Sequence, residues 1–178
     1  DKETGVTTFF LKDKVDTGNI IIQKKILIDN DDDAGSLHDK LAKVGAECVL
    51  ETVKLIEMGN FQPMLQDESV ASPAPKIFKE DCKIDWSKNS SEIHNFIRGL
   101  SPYPAAFSIL ENKIVKIFKS GLSELLKIDS PGSINFIEKK MYVSTNDNLI
   151  EILELQTEGK KRITAKDFMN GVDKSKAF

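Results

Sequence analysis

Asp16, Thr17 and Gly18 form an Asp-Thr-Gly step between two stretches rich in β-branched and aromatic residues, 5–11 and 19–28. A lone carboxylate raised on a loop between strands is placed to move a proton or to polarise a neighbouring group, and loops on rigid strands are where reactive groups gather. The Thr17 hydroxyl can bond the local backbone, and Gly18 permits a turn that other residues resist. The same three residues also make an ordinary turn, and by themselves they more often serve a structural corner than a reactive one.

A second group with chemical potential is Lys160, Lys161 and Arg162, after Gly159. Three adjacent cations on a loop cannot all be buried. They make either a solvated turn or a set of phosphate contacts with RNA. Lys76, Lys116 and Lys119 are further candidates for RNA contact. No aromatic pair stands out as a base-stacking platform, so contact through shape and phosphate is expected.

Other chemistries fail on spacing. Asp29, Asp31 and Asp33 imitate the start of a calcium loop, but position six is Ala34 where Gly is needed and position twelve is Lys40 where a bidentate Glu is needed. This stretch reads as a solvated acidic loop. Cys48 and Cys82 are too few for a metal site. They read as buried free thiols in a reducing compartment, the cytoplasm. His38 and His94 read as surface or packing residues, so no metal is expected.

The elements that must position these groups follow from periodicity. After the two opening strands, Ser36 is expected to cap a helix over 36–58, with Leu37, Leu41, Val44, Cys48, Val49, Val53 and Ile56 as its apolar stripe. Gly59 is its natural stop. Strand, strand and helix are too little for a unit alone and read as the end of an α/β domain, residues 1–59. Pro63, Pro73 and Pro75 mark a linker over 60–79. Beyond it, Asn89 and Glu92 form a capping box for a helix through Arg98. Five short strands are expected at 106–111, 114–119, 133–138, 141–145 and 149–155, and Thr164 with Asp167 should cap a last helix. Five strands at this spacing favour a small barrel of the oligonucleotide-binding (OB) type with flanking helices, residues 80–178. Trp86 is expected to anchor its core.

Charge separates the same two parts. Residues 1–75 hold 8 Lys against 14 Asp and Glu, a balance of −6, whereas residues 76–178 hold 17 Lys and Arg against 14 acids, a balance of +3. The difference suggests two units with different partners. No apolar run approaches the roughly 20 residues that a membrane helix needs.

The order of segments carries a resemblance. Gly5-Val-Thr-Thr is followed by Asp16-Thr-Gly, the amphipathic helix, Gln66-Asp-Glu, Ala74-Pro-Lys-Ile, Ile84-Asp-Trp86, Ile97-Arg-Gly-Leu-Ser-Pro-Tyr-Pro104 and Leu155-Gln-Thr-Glu-Gly-Lys-Lys-Arg-Ile-Thr-Ala-Lys-Asp-Phe168. This series resembles the methionyl-tRNA formyltransferases from near Gly5 to Gly171. The resemblance implies a Rossmann-like formyl-transfer domain ending in residues 1–59 and an OB-like tRNA-binding barrel after it. It implies transfer of a formyl group from 10-formyltetrahydrofolate to the amino group of methionyl-initiator-tRNA, for translation initiation. Asp16 would be catalytic, and the backbone of Asp13, Lys14 and Val15 would line the folate pocket.

The family's catalytic Asn and His, in an Asn-x-His segment, have no counterpart here: Ser36 stands two before His38, and Glu92 two before His94. The chain is therefore expected to be a piece cut inside the catalytic domain, inactive alone and prone to self-association through its unpaired front sheet edge. The alternative is a related formyltransferase acting on a sugar nucleotide or another small amine.

Overall fold

The computed structural model describes residues 1–59 and 61–171. Asn60, expected to open the linker, and residues 172–178, expected to close the second unit, lie outside the described residues. Two compact units divide the chain, Asp1–Lys76 and Ile77–Phe178.

In the first unit, β1 (Glu3–Phe9) and β2 (Ile20–Leu27) pair antiparallel. The connection over 10–19 is longer than a tight turn. Helix α1 (Ala34–Glu57) lies against both strands, where Thr8 and Thr52 join hydroxyls at 2.7 Å and Lys24 meets Glu51 at 2.6 Å.

Asp33, not Ser36, is the N-cap of α1. Its carboxylate accepts from the Ser36 N–H at 2.8 Å, and the Ser36 hydroxyl accepts from the Asp33 N–H at 3.1 Å. A carboxylate at that end also meets the positive pole of the helix, so the Asp wins over the later Ser.

Asp32 corrects the reading of a merely solvated acidic loop, for it is only 5% exposed. Lys40 at 2.7 Å, the Asp29 N–H and the Ser36 hydroxyl hold its carboxyl down at about 2. The buried line of α1 runs through Cys48 and Thr52, while Val49, Val53 and Ile56 turn outward beside Leu50.

The second unit is a six-stranded sheet ordered β3-β4-β7-β6-β5, with β8 on β7. Its strands are β3 (Ala106–Leu110), β4 (Lys113–Leu126), β5 (Ile134–Ile137), β6 (Lys140–Ser144), β7 (Asn148–Thr157) and β8 (Ile163–Thr164). No ladder joins β3 to β5 among the described residues, so the sheet is open where a closed or nearly closed barrel was expected. Helices α2 (Ser90–Leu100) and α3 (Ala165–Met169) flank it.

The core gathers Ile93, Ile97 and Leu100 of α2 with Val115, Ile117, Met141, Val143, Ile150, Ile152 and Leu155 of the sheet. Trp86 joins this core, and its indole N–H donates to the Ser108 hydroxyl at 3.0 Å. Both helix caps expected in this unit are present, Asn89 with Glu92 and Thr164 with Asp167. Both cysteines are buried free thiols.

Asp147, in the β6–β7 turn, adds a brace across 57 residues by accepting from the Ser90 N–H at 2.8 Å at the start of α2. Burial pushes its carboxyl up, but hydrogen bonds from the Ser90 N–H, the Thr145 hydroxyl and the Asn148 N–H outweigh that and bring it to about 2. Asp147→Ala is expected to cost about 1 kcal/mol, the usual worth of a helix-capping oxygen, measured by urea unfolding. Because the folded-state value lies below the ordinary 3.8, the contribution is present above pH ~4 and fades as pH falls toward 2. Equal acid sensitivity in the wild type and the variant would exclude this brace.

Candidate functional site

The loop over 10–19 is shaped by its own residues and by Gln66. Asp16 takes a positive φ of 58°, and the Thr17 hydroxyl donates to the Lys14 carbonyl at 2.8 Å. A Cβ at Gly18 would lie 1.5 Å from the Phe10 carbonyl oxygen. Gly18 is therefore required by close approach, while the left-handed backbone falls on Asp16, a residue type that tolerates it.

The Gln66 amide nitrogen donates to the Asp16 carbonyl at 2.8 Å and to the Gly18 carbonyl at 2.7 Å. The Ile20 and Met64 backbones exchange two hydrogen bonds at 2.8 Å, which brings Gln66 into position. Asp16 is exposed and lines a cavity of about 400 Å³ together with Lys12, Lys14, Asn19, Gln66, Asp67 and Glu68.

Of the residues expected to meet folate, Lys14 lines this cavity, whereas Asp13 and Val15 do not, and Val15 is 82% exposed. Gln66, Lys12 and Asn19 are additional residues of the site, Lys12 being fixed by donation to the Asn19 side chain at 2.8 Å. Gln66 stood in the quoted Gln66-Asp-Glu segment, but nothing in that segment gave it a partner. Three carboxylates (Asp16, Asp67 and Glu68), two ammonium groups and two amides around one cavity suit a polar small molecule and can take up or return a proton. Among the described residues no cluster of His, Cys, Asp and Glu suits a metal.

In the second unit the expected cations divide. Lys116 and Lys119 stand three apart on β4, a spacing that would send them to opposite faces of a regular strand. The register shifts on either side of Lys119, a bulge, so both escape the core: Lys119 is exposed and Lys116 half-buried. Lys116 reaches the Pro104 carbonyl at 3.4 Å.

Lys160 and Lys161 are exposed on the β7–β8 turn, whose backbone is held by the Gln156 amide donating to the Lys160 carbonyl at 2.7 Å. Arg162 is engaged within the fold, paired with Glu154 at 2.6 Å and stacked 4.4 Å above the Phe118 ring. Lys76 is exposed and belongs to the first unit. No helix among the described residues is long and apolar enough to cross a membrane.

Comparison with known proteins matches both units. Residues 76–173 match the formyl transferase C-terminal domain, and residues 1–53 match the formyl transferase family. A methionyl-tRNA formyltransferase of Chlorobium luteolum is 44% identical over 174 residues, which is 96% of this chain and 55% of that protein. The chain spans about half the length of the curated relatives it matches.

Among solved structures, HypX from Aquifex aeolicus superposes with a TM-score of 0.73 at 22% identity, over 97% of this chain and 32% of the other. At that identity the likeness speaks for the fold alone. WlaRD, a sugar 3N-formyl transferase, gives a TM-score of 0.65 at 27% identity, over 90% of this chain and 57% of its own.

Proposed function

Because the chain belongs to the formyl transferase family, we propose that it is part of a methionyl-tRNA formyltransferase. The observation that carries this is the 44% identity to a protein of that name, over a stretch covering 96% of the chain. The formyl donor is 10-formyltetrahydrofolate, and the acceptor is the amino group of methionine on initiator tRNA. The amine attacks the formyl carbon, a tetrahedral oxyanion forms, and it collapses as the bond to the folate nitrogen breaks and that nitrogen takes a proton.

Asp16 assists the proton movement, and Gln66 and Gly18 fix the loop that presents it. Lys14 lies where the donor would enter, with the backbone of Asp13 and Val15 beside it. Residues 60–79 act as the linker, its part through Lys76 belonging to the first unit and Ile77–Lys79 to the second. The second unit, read as an opened relative of the OB barrel, docks RNA phosphates through Lys116, Lys119, Lys160 and Lys161. Lys76 contributes from the linker, and Arg162 holds the basic turn in shape. Val49, Leu50, Val53 and Ile56 give the front segment an apolar face for self-association when it is produced alone. Such an enzyme works in the cytoplasm.

A second reading, formylation of an amino sugar on a nucleotide, is favoured by the likeness to the sugar 3N-formyl transferase. Distant basic loops serve a large RNA acceptor better than a small amine.

The test is to join residues 1–178 to the upstream part of the Chlorobium luteolum relative and to assay both acceptors. Formylation of methionyl-tRNA is the expected result, with no turnover by the 178-residue chain alone, whose two His lack the family's Asn-x-His setting. Turnover of the amino-sugar nucleotide with methionyl-tRNA untouched would establish the second reading.

A further inference from the structure

One groove lies wholly in the second unit, with a volume of about 540 Å³. That is within the range of about 300–1,000 Å³ typical of small-ligand pockets. Its rim carries large apolar side chains in water: Ile77 is 55% exposed, Phe78 57% and Tyr103 85%. Lys79 and Lys116 line it as well, with Glu158 the acidic lining residue.

The backbone under both rings is fixed. The Phe78 N–H donates to the Asp81 carboxylate at 2.8 Å, and its carbonyl accepts from the Cys82 thiol at 3.3 Å. Tyr103 stands between Pro102 and Pro104, whose rings restrict the chain on either side. The Lys116 ammonium, at 3.4 Å from the Pro104 carbonyl, sits beside the segment that carries Tyr103.

Exposed aromatic faces on a fixed backbone, next to two cations, match the two halves of a nucleotide. A flat base has a π-face to stack, and its phosphate carries the negative charge. We propose that this groove binds an unpaired ribonucleotide of an RNA single strand, its base stacked on Tyr103 or Phe78 and its phosphate on Lys79 and Lys116. The inference rests on the RNA-docking reading and adds to it, since phosphate contacts alone need no aromatic platform. Charge complementarity selects an anionic ligand, because two ammonium groups, Lys79 and Lys116, face a single carboxylate, Glu158, in the lining.

The test measures binding of the 178-residue chain to a short single-stranded oligoribonucleotide, to an abasic oligomer of equal charge, and to a blunt RNA duplex. Stacking is worth about 1–3 kcal/mol per base, so Tyr103→Ala should weaken single-strand binding by about 5- to 150-fold and leave the duplex unchanged. Tyr103→Phe should retain the wild-type affinity, and the abasic oligomer should bind both proteins as weakly as the intact oligomer binds Tyr103→Ala. Tyr103 is so exposed that its replacement should not unfold the unit, which a thermal melt checks, and Phe78→Ala provides the second variant.

Unchanged single-strand affinity in both variants, with RNA still bound, would overturn the groove and leave RNA docking standing. Equal loss of single strand and duplex would overturn it in favour of phosphate contact alone. A change in oligomeric state without a change in RNA affinity would make this face a protein interface instead. Failure of the wild type to bind any of the three RNAs would overturn both the groove and the docking reading.

Discussion

Asp16→Asn, made in residues 1–178 joined to a relative's upstream part, is expected to lower formyl-transfer turnover by about 10²–10⁴, the usual worth of one positioned acid–base group. Affinity for tRNA should change little. The substitution keeps the shape of the side chain and removes only its charge and basicity. It also spares the loop, because Gln66 grips the backbone carbonyls of residues 16 and 18 rather than the carboxylate. Asn tolerates the positive φ that Asp16 adopts, so the turn has no reason to rearrange. Initial rates at saturating donor, together with a tRNA binding isotherm, separate the two effects. If turnover and affinity fell together by the same factor, Asp16 would be a structural residue of the loop and the catalytic role would be lost.

Where local chemistry repeats the global arrangement, the sequence was readable. Asn89 with Glu92 and Thr164 with Asp167 announce helix starts that are found there. The short apolar runs at 141–145 and 149–155, bounded by turn residues, likewise mark strands near the places where β6 and β7 lie. Misreadings arose where tertiary contact overrides a local rule.

The β3–β4 and β5–β6 turns were expected at residues 112–113 and 139–140. They centre instead on Glu111 and Asn112, and on Glu138 and Lys139, all with positive φ. Glu and Lys are poor candidates for that backbone, so the hairpin geometry, not the residue type, selects them. Strand β4 runs on to Leu126, past Gly121, because β7 is long enough to pair with it, and a Gly otherwise signals a break. β8 is only two residues long and exists through its pairing with β7, so it has no periodicity of its own.

The same divide runs through the candidate sites. The Asp16 loop could be placed between two strands from its tripeptide and the runs that flank it. Gln66 acts from 50 residues away through its side chain, a relation no local pattern encodes. Arg162 looked like the third member of a basic run, yet Glu154 on β7 and Phe118 on β4 claim it from across the sheet. Val49, Val53 and Ile56 fit the helical spacing well, but the two short strands beneath α1 cover a narrower line, through Cys48 and Thr52.

The central claim, that the second unit docks RNA through phosphates, is tested most directly by a salt titration of tRNA binding with the 178-residue chain. If Lys116, Lys119, Lys160 and Lys161 together neutralise about three phosphates, each contributes roughly −0.7 to −0.9 to the slope of log K against log salt. The slope should then be about −2 to −3, so affinity falls by roughly 16- to 60-fold between ~50 and ~200 mM salt. Replacing Lys160 and Lys161 with Ala, while keeping Arg162 for its structural contacts, should flatten the slope to about −1. Identical slopes for the two proteins would remove the basic turn from the interface, and no binding by either at low salt would contradict the account and favour a small amine as the acceptor.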